Sequence, residues 1–261
     1  MAELVSSVLA EPEAPVSGPV LFARYACPPN QHGYCGPADA DSFFSSGVTG
    51  NETDLRARAR DFDGALPFLQ LIAEAADRAD PLDPAVVEAY WLGGPALDQA
   101  GPASAANRPR AASGPLFASL GAAARAGAVP HHSFVVFCVY PWVAMLGDAR
   151  RTPQAMRVLD GCRIRWGRVL EVSGDTVTAA SEPLVWDGQQ LGYGATAVEK
   201  VRRAIDGRGL ASPLTVGDAV ALHWDWVCDR ISENQQRVLQ DYSARHLALV
   251  NQVLAGRGVG R

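Results

Sequence analysis

The chain has 261 residues, a mass of 27.7 kDa and a formal net charge of −5, with 48% hydrophobic and 20% charged residues. This composition is typical of a soluble globular protein, and the acidic balance (pI ≈ 5.5) argues against dedicated binding of nucleic acid or of an anionic membrane surface. Five irregularly spaced cysteines, no secretory signal and an apolar run too short for the ~20 residues of a membrane span lead us to expect a reduced, cytoplasmic protein.

The N-terminal part begins with a segment of low order. Residues 1–19 are rich in Pro, Ser, Glu and Ala, and we expect a flexible arm. The block from Val20 to Phe44 is interpreted as a loop between two short helices, because Pro28-Pro29 and Gly36-Pro37 are typical chain-breaking pairs.

Helical periodicity dominates the next stretch. Over residues 53–79, apolar residues recur at intervals of three and four positions, which predicts one helix. A second helix is expected to start at Pro84, with Asp83 as its N-cap. A surface loop is expected over 101–113, and an alanine-rich helix over 116–126.

The character of the chain changes near Pro153, and from Cys162 on β-branched alternation and turns dominate. The pattern predicts strands over 165–172, 176–180, 184–186 and 219–226, a short helix over 197–206, and a long final helix opened by the capping box at Ser232. We therefore predict an α+β protein. Its expected parts are an α-rich domain over 20–155 and, over 156–261, a small OB-like β-barrel with a long C-terminal helix.

Two residues of the C-terminal part are candidate metal ligands. Cys162 and His223 each lie in a block that is expected to be a strand, and a thiolate with an imidazole is a suitable ligand pair for iron. If the two strands share one barrel, the pair forms a metal site. If they do not, Cys162 is a small core residue and His223 an ordinary strand histidine.

The two blocks, over about 162–250, resemble the HypC/HupF family of hydrogenase-maturation chaperones. The resemblance is carried by Cys162 with Gly167-Arg168-Val169, by Gly217-Asp218 with His223, and by Ile231-Ser232-Glu233 before the last helix. It implies a barrel that holds iron, or an iron fragment carrying CO and cyanide, at Cys162 and His223. The implied partners are the maturation scaffold and the hydrogenase large-subunit precursor. In this chain the cysteine is internal, and Trp224-Asp225-Trp226 follows the histidine in place of small residues.

The N-terminal half resembles uncharacterised actinobacterial proteins, and this resemblance implies no chemistry. Its own residues suggest a haem site. Cys27-Pro28 is a dipeptide found where a thiolate binds haem, and His131 or His132 is a candidate second axial ligand. Such a domain would make or deliver the CO ligand. The alternative is that Cys27 packs in the core and that the histidine pair starts a helix or strand with one ring exposed.

A second interpretation of the N-terminal half is a cysteine hydrolase. Gly33-Tyr34-Cys35-Gly36 resembles the nucleophile turn of papain-like peptidases, in which the cysteine opens a helix whose N-terminus lowers the thiol pKa. His132 begins a segment that resembles the strand carrying their base. A third catalytic member is not evident in the sequence.

Overall fold

A computed structural model describes residues 15–100 and 127–258, with side chains described to residue 256. The predicted mixture of helices, a β-barrel and a long C-terminal helix is confirmed. The expected arm lies largely outside the described residues, and so do the loop and the helix predicted over 101–126. The helices of the described parts are α1 Gly18–Gln31, α2 Ala40–Thr49, α3 Glu52–Arg58, α4 Leu66–Ala75, α5 Pro84–Trp91, α6 Pro95–Gln99, α7 His132–Phe134, α8 Thr152–Cys162 and α9 Glu233–Gly258.

Helix α1 continues through the proline pair at which a break was expected. Pro28 and Pro29 lie in its last turn, and α1 ends only at Gln31. Each proline removes one backbone donor, so the pair leaves two carbonyls, those of Arg24 and Tyr25, without their helical partners. The break expected at Gly36 is confirmed, since Gly36 has φ +85° in the turn before α2.

The helix predicted over 53–79 is wrong as a single element. The chain forms α3, a 3₁₀ turn over Ala59–Asp61 and then α4, with Phe62 at a non-helical φ/ψ between them. The start of α5 is confirmed: the Asp83 carboxylate accepts a hydrogen bond from the Ala85 N–H at 2.9 Å. After α7 the backbone continues as a π-helical turn over Val135–Val139, and a 3₁₀ turn over Pro141–Met145 leads towards α8.

Five strands close into a barrel in the order β1-β2-β5-β7-β6, while β3 and β4 form a separate hairpin. The strands are β1 Arg165–Ser173, β2 Thr176–Ser181, β3 Leu184–Trp186, β4 Leu191–Tyr193, β5 Ala197–Arg202, β6 Ala219–His223 and β7 Trp226–Arg230. The helix expected over 197–206 is wrong, because β5 pairs with β2 along its whole length and with β7 in parallel at Arg202. This pairing overrides a weak local preference.

The strand predicted over 219–226 is in fact a tight hairpin. Strand β6 ends at His223, which pairs with Trp226 of β7, so Trp224 and Asp225 form a two-residue turn. Trp224 adopts φ +54°, a left-handed conformation that costs a non-glycine residue about 1–2 kcal/mol. The Trp224 N–H donates to the Gly161 carbonyl at 2.7 Å, which fastens the turn to the end of α8.

The capping box expected at the start of α9 is confirmed in both directions. The Gln235 N–H donates to Ser232 Oγ at 3.1 Å, and the Ser232 N–H donates to Gln235 Oε1 at 2.8 Å. Two donors of the first turn that would otherwise lack partners are satisfied in this way.

The helical part and the barrel share one continuous apolar core. The barrel interior holds a second, smaller core that includes Val169, Val177 and Val220. Helix α1 is joined to β7 by a largely buried ion pair between Arg24 Nη1 and Asp229 Oδ1 at 2.7 Å. The boundary that we expected near residue 155 falls within α8, whose last residue is Cys162.

Candidate metal centre

One ring nitrogen of His223 makes a hydrogen bond, and the other makes none among the described residues. Its Nδ1–H donates to the Tyr25 carbonyl at 2.7 Å, and this carbonyl is free because Pro29, four residues on, has no N–H. Because a carbonyl can only accept a hydrogen bond, Nδ1 carries the proton of the neutral ring. Nε2 therefore carries a lone pair, and it is buried with no hydrogen-bond partner among the described residues. Burial also holds the pKa of His223 well below its usual value, so the ring is neutral.

Cys162 lies at the C-terminal end of α8, and not at the start of a strand as the sequence pattern predicted. Strand β1 begins only at Arg165. The thiol is buried, and burial raises its pKa far above the usual value, with a smaller contribution from Cys35. The thiol is therefore protonated at neutral pH unless a metal ion displaces the proton.

His132, on the short helix α7, is the third member of the group. One ligand atom from each of His132, Cys162 and His223 can be chosen so that all three lie within 4.8 Å of one another. His132 Nε2 donates to the Cys162 carbonyl at 2.7 Å, and Nδ1 lies 3.2 Å from the Tyr90 hydroxyl. Burial lowers the pKa of His132 to about 4, so this ring is also neutral.

A cavity of about 210 Å³ adjoins the three residues, and its wall is rich in aromatic side chains. The aromatic residues in the wall are Tyr34, Phe62, Tyr90, Trp91, Tyr140, Trp142 and Trp224. Trp91 packs against both imidazoles, with ring centroids 4.6 Å from His132 and 5.8 Å from His223. Tyr34 stacks on Trp224 at 4.5 Å and is 40% exposed, so it lies where the cavity meets solvent.

The strained turn at Trp224 is part of this wall. A Cβ on Gly161 would lie 2.8 Å from the Trp224 ring, so the end of α8 needs a glycine where the indole packs. Arg165 holds the turn from the other side, because its Nη2 donates to the Trp224 carbonyl at 2.6 Å and to the Glu199 carboxylate at 2.9 Å. Backbone strain of this kind is often maintained beside a functional site.

The residues predicted for a haem site are not brought together at the cavity. Cys27 is buried in the core and does not line it, and burial raises the pKa of this thiol. His131 stacks on Tyr242 of α9 at 5.2 Å, and its Nδ1 lies 2.7 Å from Ser133 Oγ. The helix start at the histidine pair is confirmed, but the expectation of one exposed ring is wrong because both are buried.

Cys35, the predicted nucleophile, lines the same cavity as His132. It lies in the turn between α1 and α2 and does not open a helix, since α2 begins at Ala40 with Asp39 as its cap. Burial raises the pKa of the Cys35 thiol to about 12, the opposite of the shift that a hydrolase nucleophile needs.

Sequence reasoning missed two features of the site. It assigned His132 to other chemistry, although the histidine pair was the signal that could have suggested a third ligand. It also gave no role to Tyr90 and Trp91, although the rings of both lie against His132. The residues after His223 had been noted as unusual, and Trp224 indeed forms part of the cavity wall.

One thiol and two neutral imidazoles are donors of the kind that bind zinc, copper or iron. The fold and this group define an α+β protein with a buried Cys/His₂ candidate metal centre beside an aromatic cavity. The chain belongs to DUF6390, a family of unknown function whose model matches residues 14–257. No curated protein and no solved structure matches it. In the parts of the chain that the structure describes, no helix combines the length and apolarity of a membrane span.

Proposed function

We propose that the protein binds iron at Cys162 and His223, with His132 as a third ligand, and acts as an accessory protein of [NiFe]-hydrogenase maturation. The observation that carries the metal site is the partnerless, buried Nε2 of His223 in a group whose other members are a thiol and an imidazole. A ligating histidine usually donates its second ring N–H to a carbonyl or carboxylate, as His223 does to Tyr25.

The two proposed histidine ligands differ in the hydrogen bonds that must break before they can bind a metal. Among the described residues, His223 Nε2 makes no hydrogen bond of ordinary geometry, so binding through it displaces only a contact with the Cys162 backbone. Binding through His132 exchanges either the bond to the Cys162 carbonyl or the longer one to Tyr90, whose hydroxyl has the Gly64 carbonyl 3.4 Å away as another acceptor. We infer that Cys162 and His223 are the primary ligands and that His132 is an exchangeable third. An exchangeable ligand suits a carrier that must release its iron.

The assignment to hydrogenase maturation rests on the resemblance to the HypC/HupF family. In support of it, the residues matched at Cys162 and His223 lie together, and the barrel has five strands with one parallel pair, as we expect of an OB-like fold. We propose an iron fragment carrying CO and cyanide as cargo. The proposed partners are the maturation scaffold and the large-subunit precursor, in the cytoplasm. The hydrolase hypothesis has less support, because Cys35 has a raised pKa.

The metal site is tested by iron analysis and an optical spectrum of the anaerobically purified chain. We expect about one iron per chain, which is lost in Cys162→Ala and His223→Ala. Cys27→Ala is the matched control, since it removes another buried thiol that does not line the cavity. Iron retained by both ligand variants would contradict the site. A Soret band lost with Cys27→Ala would move the chemistry to haem.

The biological assignment needs a separate test in a host that makes a [NiFe]-hydrogenase. Deleting the gene should leave the large-subunit precursor without its diatomic-ligated iron. Wild-type protein should restore the iron, and His223→Ala should not. Full hydrogenase maturation in the deletion strain would contradict the assignment and leave the metal site standing.

A further inference from the structure

The cavity beside the metal ligands is larger than a water or a diatomic molecule requires. Its volume is about 210 Å³, whereas an engineered protein cavity of ~150 Å³ binds benzene and one water occupies ~30 Å³ of the liquid. A metal held by three protein ligands keeps a coordination position for an outside molecule. The cavity adjoins all three proposed ligands, so one molecule can fill the space and contact the metal.

The wall restricts the chemistry of such a molecule. Among the described residues that line the cavity, none is Asp, Glu, Lys or Arg. Among the described lining residues no side chain therefore offers a full charge to compensate one on the ligand, which leaves that role to the metal, and the rest of the ligand meets apolar and aromatic surface. Trp91 and Trp142 offer ring faces or edges for packing.

Two phenol hydroxyls stand on the His132 side of the cavity. Tyr90 Oη lies 3.2 Å from His132 Nδ1 and 3.4 Å from the Gly64 carbonyl. The Tyr140 hydroxyl lies over Gly64, where an added Cβ would clash with it. A phenol keeps its proton at neutral pH, so both hydroxyls can donate to an anionic oxygen.

We infer that the cavity binds a small organic anion of about the size of a benzene ring, whose oxygen coordinates the metal while its apolar part packs against the aromatic wall. This inference deepens the proposed function and rests on its metal site. It assigns the protein a co-ligand or substrate of its own, distinct from the diatomic ligands of the iron cargo.

The test uses the full chain loaded with cobalt(II), whose visible spectrum reports its ligands, and titrates it with benzoate and with acetate. Benzoate and acetate carry the same carboxylate group, so the difference between their affinities measures the contribution of the ring. We expect benzoate to bind at least about tenfold more tightly, because burial of a ring contributes more than the ~1.4 kcal/mol that tenfold requires. Ala26→Leu and Ala65→Leu each add bulk to the cavity wall and should abolish the preference. Ala57→Leu, on an exposed position of α3, is the matched control.

The outcomes separate this inference from the metal proposal. A chain that takes up cobalt but binds benzoate and acetate equally would overturn the inference and leave the metal site intact. A chain that takes up no cobalt would overturn both. Cavity variants that keep cobalt and also keep the benzoate preference would place the ring outside the cavity. If one leucine variant fails to fold, the other variant and the wild-type comparison still decide.

Discussion

Metal binding should release one proton per metal ion, and this proton should come from Cys162. Burial lowers the pKa of His132 to about 4 and that of His223 well below its usual value, so both rings are already neutral above pH 5. Burial raises the pKa of the Cys162 thiol, so the thiol holds its proton until a metal replaces it. A rise in pH therefore favours binding, because only the thiol loses a proton.

The release of one proton per metal ion sets how strongly the metal affinity depends on pH. The apparent Kd should fall tenfold for each pH unit, or about 1.4 kcal/mol, which gives on the order of 100-fold between pH 5 and pH 7. This window lies above the titration of the histidines. It also lies below the ~7 at which a zinc-bound water begins to lose a proton of its own.

The measurement is a competition titration of zinc against a chromophoric chelator, corrected for the chelator's own protonation, with proton release followed by an indicator dye in weak buffer. In Cys162→Ala, the residual binding should show no pH dependence across the window. A slope of two protons in the wild type would mean that a histidine is charged before binding. A slope of zero would mean that the thiol is not a ligand, and either result would refute the reasoning.

Three further predictions concern the carbonyl that holds His223, the N-cap of α9 and the mouth of the cavity. Pro29→Ala restores an N–H that competes with His223 for the Tyr25 carbonyl, so metal affinity should fall about 10–100-fold in the same zinc titration. Pro28→Ala is the control and should leave the affinity unchanged. Ser232→Ala removes the cap of α9 and should lower the free energy of unfolding by about 1 kcal/mol in urea, while Ser232→Asp should retain it. Tyr34→Ala opens the cavity and should speed zinc loss to excess chelator several-fold with little change in stability; an unchanged rate would show that Tyr34 does not limit access.

Much of the barrel could be predicted because its strands contain β-branched residues and its turns are marked by glycine and aspartate, although only β2 alternates regularly between more and less buried positions. The Ser173-Gly174-Asp175 turn and the capping box at Ser232 are local signals, and both are confirmed. The failure at 197–206 has a clear physical reason. Strand β5 owes its form to pairing with β2, a contact that neither segment reveals alone.

The site was predictable only in part. Cys162 and His223 were chosen for their chemistry, yet their proximity depends on how α8 meets the β6–β7 hairpin. The Gly161 carbonyl and the strained Trp224 make that junction, and the spacing of apolar residues in the sequence does not predict it. His132 lies thirty residues before Cys162, so only tertiary packing could bring it to the pair.

The helical part completes a site that the barrel could not form alone. The barrel supplies His223, and α8 supplies Cys162, but the carbonyl that orients His223 belongs to α1 and the third ligand to α7. Pro29 links these facts, since it has no N–H and so leaves the Tyr25 carbonyl without its usual helical donor and open to the imidazole. A metal bound here would therefore stabilise the contact between the two parts, because each contributes to its coordination.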